Sequence, residues 1–237
     1  MQCSTRDTRS SIAHPRCDPS GIIGTLRSGK PPRRGVIEHL TEVARRPVSR
    51  ESFEKLEAYA ALLKEESTRQ NLVSASTLGE LWERHILDSV QLVRFEPHRQ
   101  SRWVDVGSGA GLPGIVVACL VAGPVTLIEP RRLRAEFLHK VCESLRLNAT
   151  VFAGRVERAE GNYDVITARA VAPLTQLLKI SAHLSTRNTV WALPKGRSAE
   201  RELVEARRSW QGAFHVEQSV TGVDSKIVVA TEVRARR

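Results

Sequence analysis

The sequence predicts an α/β protein: a Rossmann-like, seven-stranded and mostly parallel sheet preceded by a short helical extension. Three observations carry this. From Trp103 onward short apolar runs alternate with helical stretches. The run Trp103 to Val106 passes straight into glycines at every second position, and the last two strand-like runs have no room for a helix between them.

Residues 1 to 48 are rich in Arg, Ser, Pro and Gly without a sustained apolar period, which predicts a disordered basic tail. An organellar transit peptide, a non-native start or a plain basic arm would each give that composition. The fold is then expected over 49–237, with helices over 49–100 and a cofactor-binding α/β core over 101–237. Ser49 caps a first helix over 50–66, in which Phe53, Leu56, Ala60 and Leu63 share one face. Thr77 and Glu80 form a capping box for a second helix with the apolar face Leu78, Leu81, Trp82, Ile86, Val90 and Val93. Its other face spaces Glu80, Arg84 and Asp88 for a chain of ion pairs.

Five parallel strands follow, over 103–106, 125–129, 150–153, 164–168 and 189–193, with helices near 114–121, 132–147, 174–183 and 198–210. Strands over 215–220 and 226–233 close the sheet as an antiparallel hairpin. The uncharged stretch from Leu112 to Ile128 is divided by Gly123-Pro124, which argues for a buried helix and strand rather than a membrane span.

Charge locates unevenly. The first 50 residues hold ten Lys or Arg against four Asp or Glu, so more than half of the +10 net charge lies there and the remainder is only mildly basic. Nucleic acid is a suitable partner, but charge alone does not select it. Cys3, Cys17, Cys119 and Cys142 have no metal-ligand spacing and read as the reduced thiols of a cytosolic protein, and no metal is expected.

Gly107, Gly109 and Gly111 follow the first strand, so backbone N–H groups can lie close to a nucleoside or phosphate. Gly109, Gly111 and Gly114 also spell the dinucleotide pattern, with Glu129 near the place of its ribose-binding acid. Asp105 points the other way, because a carboxylate just before the glycines repels a pyrophosphate and suits a cation. S-adenosylmethionine carries an ammonium and a sulfonium. The five parallel strands and closing hairpin also match the sheet of methyltransferases that use it, whereas the dinucleotide fold has six strands.

Glu129, ending the second strand, has acceptors for two ribose hydroxyls. Val156 and Glu157, after the third, supply an apolar contact and a polar edge for adenine. After the fourth strand, TARAVAPL offers Arg169 for a cofactor carboxylate or an RNA phosphate, and Pro194-Lys195-Gly196 aims a second cation at the same cleft. Neither an Asn- or Asp-Pro-Pro-aromatic turn nor a cysteine nucleophile is present there. That absence fits methylation of a ring nitrogen such as guanine N7, which needs alignment rather than a catalytic base.

NLVSAST (71–77), LWERHILDS (81–89), DVGSGAGLPG, GRVE, TARAVAPL and PKG, in this order, resemble the bacterial small-subunit ribosomal RNA guanine-N7 methyltransferases, also called glucose-inhibited division protein B. The resemblance covers roughly 49–233. It implies a cytoplasmic enzyme that uses S-adenosyl-L-methionine to methylate N7 of one guanine in 16S ribosomal RNA. It also implies cofactor contacts at Gly107, Leu112, Val156, Glu157 and Arg169, and it includes Arg84, His85 and Asp88 without settling their roles. The chain departs from the family at Lys64-Glu65-Glu66. Two other readings remain at this point: an NAD-dependent oxidoreductase, and a non-catalytic RNA-binding or ribosome-assembly protein.

Overall fold

The structure is a computed structural model that describes residues 33–74 and 79–236. Seven strands form one sheet in the order β3-β2-β1-β4-β5-β7-β6. They are β1 (Trp103–Val106), β2 (Val125–Ile128), β3 (Ala149–Phe152), β4 (Tyr163–Thr167), β5 (Ser185–Lys195), β6 (Trp210–Gln218) and β7 (Lys226–Ala235). The first five run parallel, while β7 lies antiparallel between β5 and β6. The chain therefore turns to opposite sides of β1, leaving a crevice at the carboxyl ends of β1, β2 and β4.

β1 is buried along its whole length because both faces are covered. Trp103 packs into one apolar cluster with α2 (Arg50–Glu66), α4 (Gly114–Ala118) and α5 (Arg132–Ser144). Val104 and Val106, on the opposite face, join a second cluster with α6 (Leu174–Ser181) and α7 (Ala199–Ser209). Each fully buried Leu or Val in these layers contributes about 1.5–3 kcal/mol.

The expected disorder through residue 48 is corrected by α1 (Arg33–Ala44). Leu40, Val43 and Ala44 form an apolar stripe on this helix, and burying it outweighs the polar composition around it. Residues 1 to 32 lie outside the described residues. Helix α2 begins as predicted, with the Ser49 side chain accepting from the Ser52 amide at 3.0 Å.

The second helix differs from its expectation. Thr77 and Leu78 lie outside the described residues, and from Trp82 to Ile86 the chain is a π-helical turn. It continues as α3 (Leu87–Val90) and a 3₁₀ turn, Gln91–Phe95. α1 packs on these last two pieces. Glu80 and Arg84 do pair at 3.1 Å, but Asp88 does not extend the chain because it faces the interior. Among the described residues no helix is long and apolar enough to cross a membrane, and no group of three or more His, Cys, Asp or Glu could hold a metal ion.

Candidate functional site

The loop after β1 is a backbone cradle. Gly107 has φ +69°, and a Cβ there would lie 2.6 Å from Val171 Cγ2. Gly111 has φ +95°, and a Cβ there would meet Ile115 at 2.6 Å and the Tyr59 hydroxyl at 3.1 Å. Both positions need glycine for conformation and for space. Leu112, 4% exposed, seals the loop's inner side.

Asp105 lies at the base of this cradle, buried, with both carboxylate oxygens engaged by the protein. It shares the face of β1 with Trp103, two residues earlier, and so points into the α2 and α4 layer. Its Oδ2 accepts from the Gly114 amide at 3.1 Å, and Oδ1 accepts from the Thr167 hydroxyl at 3.0 Å. Burial pushes its pKa up to about 6, against the opposing pull of those hydrogen bonds and Arg169. Asp105 thus ties the start of α4 to β1 and β4.

Glu129, just past the end of β2, reaches the loop from the other side. Its Oε2 accepts from the Gly109 amide at 2.8 Å and its Oε1 from the Arg131 amide at 2.8 Å. A carboxylate has about four lone-pair sites, so acceptor capacity remains for ribose hydroxyls. Val156, buried, and Glu157, exposed, follow on a 3₁₀ turn after β3. Because β3, β2, β1 and β4 are consecutive in the sheet, the carboxyl-end groups of all four strands stand in one row.

Arg169 follows β4, with its side chain 22% exposed. Its Nη1 lies 3.1 Å from His85 Nδ1 and 3.8 Å from Asp88 Oδ2. Burial, then the charges of Arg169 and Arg84, push the His85 pKa down to about 4, so its neutral ring can accept from Arg169. The Nε2 of His85 is buried and has no hydrogen-bond partner among the described residues. Asp88 Oδ1 accepts from Gln91 Nε2 at 2.9 Å and from the Ser219 and Thr221 hydroxyls at 3.1 Å each. His85 and Asp88 therefore brace Arg169, while Arg84 turns outward to Glu80. Ala170, at φ +56°, reverses the chain so that Val171 reaches Gly107.

Lys195 reaches the same cleft as Arg169, as expected, and is ion-paired there. Its ammonium donates to Glu202 Oε2 and to the Ala172 carbonyl, both at 2.9 Å, and so it fixes the post-β4 loop to α7. It lines a cleft of about 440 Å³ shared with Asp88, Arg169, Pro173, Pro194 and Ser225. Tyr59 was missed by the sequence reading, although it lies on the same helical face as Leu56 and Leu63. Its hydroxyl donates to the Ala110 carbonyl at 2.8 Å, inside the glycine loop.

The seven-stranded sheet, the glycine cradle after β1 and the acid after β2 define the class of S-adenosylmethionine-dependent methyltransferases. Among solved structures the fold is similar to that of M. jannaschii TYW2 in complex with AdoMet, with a TM-score of 0.50 at 13% identity over 71% of this chain and 80% of that one. The family model described as rRNA small subunit methyltransferase G matches residues 52–229, and the chain belongs to that family. Relatives named ribosomal RNA small subunit methyltransferase G include one from Erythrobacter litoralis, 50% identical over 75% of this chain and 87% of that protein. Another, from Zymomonas mobilis, is 43% identical over 80% of this chain and 90% of that protein.

Proposed function

We infer that this chain transfers a methyl group from S-adenosyl-L-methionine to N7 of a guanine in 16S ribosomal RNA, in the cytoplasm, with the RNA or the small ribosomal subunit as its partner. Family membership over residues 52–229 carries the reading. The dinucleotide alternative is set aside by the sheet, which has seven strands with an antiparallel β7 inside it.

The described residues fit the cofactor. Positive-φ glycines leave room for a nucleoside against the backbone, and Glu129 keeps lone pairs for two hydroxyls. When bound, the cofactor supplies a methyl carbon on a sulfonium, open to attack by a ring-nitrogen lone pair without prior deprotonation. Gly107, Gly109, Gly111 and Leu112 would cradle it, Glu129 would hold its ribose, Val156 and Glu157 would border its adenine, and Arg169 would sit at the seam with the cleft. Asp105 supports the cradle from below. These residues would bind and orient, so rate would come from alignment of N7 with the methyl carbon.

Mass mapping of methylated nucleosides tests the reading: small-subunit RNA from a strain lacking this protein should lose one N7-methylguanosine, and purified protein should restore it. Cofactor binding without transfer to RNA or to 30S particles would leave only the non-catalytic alternative.

A further inference from the structure

We propose that Asp88 and Arg169 form a guanine-reading pair in the cleft beyond β4 and β5. The proposal rests on the methyl-transfer reading above and names how the base is chosen.

The two oxygens of Asp88 are used unequally. Oδ1 takes donors from Gln91, Ser219 and Thr221, which fix the carboxylate's orientation from three sides. Oδ2 has, among the described residues, only Arg169 Nη1 at 3.8 Å, beyond hydrogen-bond length, so its lone pairs stay open. Both residues line the cleft, whose volume of about 440 Å³ suits a purine base. A fixed carboxylate with an open oxygen beside a guanidinium is a donor-acceptor surface, not merely a structural tie.

Guanine presents O6 as an acceptor next to N1–H and N2–H₂ as donors on its pairing edge. Arg169 would donate to O6 while Asp88 Oδ2 accepts from N1–H and N2–H₂. Adenine reverses both contacts, placing an amine against the guanidinium and a lone pair against the carboxylate. Such a mismatch in a buried polar site costs far more than a lost methyl contact.

The arrangement also leaves N7 untouched. On the base, N7 lies beside O6, on the side away from N1. With O6 on Arg169 and N1–H on Asp88, N7 makes neither contact, and the same post-β4 loop that carries Arg169 packs Val171 against Gly107. Reading the pairing edge further requires an unpaired guanine taken out of any duplex.

The test compares small-subunit RNA assembled with guanosine or inosine at the methylated position, using wild type and Asp88→Asn. Inosine keeps O6, N1–H and N7 but lacks the 2-amino group. Wild type should favour guanosine by about 10–100-fold in kcat/KM, the range for one charge-assisted hydrogen bond. Asp88→Asn should bring that ratio near one, with both RNAs compared at saturating S-adenosylmethionine so that any change in cofactor affinity cancels from the ratio. Equal wild-type rates on the two RNAs overturn the proposal without any variant. A lower rate in Asp88→Asn with the guanosine preference intact also overturns it, leaving Asp88 as a tie to the β6–β7 turn. If wild type forms no N7-methylguanosine while binding S-adenosylhomocysteine, the methyl-transfer reading fails and the proposal falls with it.

Discussion

The hydroxyl of Tyr59 donates a 2.8 Å hydrogen bond to the carbonyl of Ala110, joining α2 to the middle of the glycine loop. Tyr59 is fully buried, and burial pushes its pKa well above the ordinary phenol value, so it remains a donor. Tyr59→Phe leaves a buried carbonyl without that donor, at a cost of about 1–3 kcal/mol. Urea unfolding should report the loss and calorimetry a weaker S-adenosylhomocysteine complex. If affinity and stability both stay at wild-type values, Tyr59 only fills space.

Gly107→Ala should weaken cofactor binding by about tenfold or more, because a left-handed residue with a Cβ is strained by about 1–2 kcal/mol and that Cβ meets Val171. Adding Val171→Ala should recover the part due to collision but not the part due to φ. Additive effects of the two changes would contradict the contact.

One buried and one half-buried group set opposite pH dependences. His85 falls from 6.5 to about 4 on folding, so between these values the unfolded chain holds the extra proton and stability rises with pH. Asp105 rises from 3.8 to about 6, so its contribution is complete below the lower value and lost as pH rises through the upper one. The two should largely offset between pH 4 and 6 in the wild type. His85→Gln should therefore lose stability with rising pH across that window relative to wild type, and Asp105→Asn should gain it. Urea midpoints at several pH values decide this; parallel profiles for all three proteins would refute the assignment.

Leu40→Ala should destabilise the protein by about 2–5 kcal/mol, the cost of emptying a fully buried leucine site. Removal of residues through Ala44 should do at least as much harm. Thermal and urea unfolding measure both, and wild-type stability in either variant would show α1 to be dispensable.

The sheet was largely legible because glycine turns and Gly123-Pro124 punctuate its apolar runs, placing β1 and β2 to within one residue. Polar ends obscured others: β5 begins at Ser185 and β6 at Trp210, several residues before the apolar alternation that announces them. In α1, surrounding arginines and prolines hid a short stripe whose value comes only from what it packs against. The orientation of Asp105 could have been read from parity with Trp103, since alternate strand residues share a face. The link from Asp88 to Ser219 and Thr221 could not, because it spans 131 and 133 residues and depends on the antiparallel return of β7. Likewise Lys195 and Glu202 are close in sequence, but their pairing depends on how α7 settles against the end of β5.

Glu129 grips the amides of Gly109 and Arg131 with its two oxygens. If this loop is where the proposed cofactor sits, its berth is already tied in place by the protein's own hydrogen bonds before any ligand arrives, so little ordering of backbone would be left for binding to accomplish.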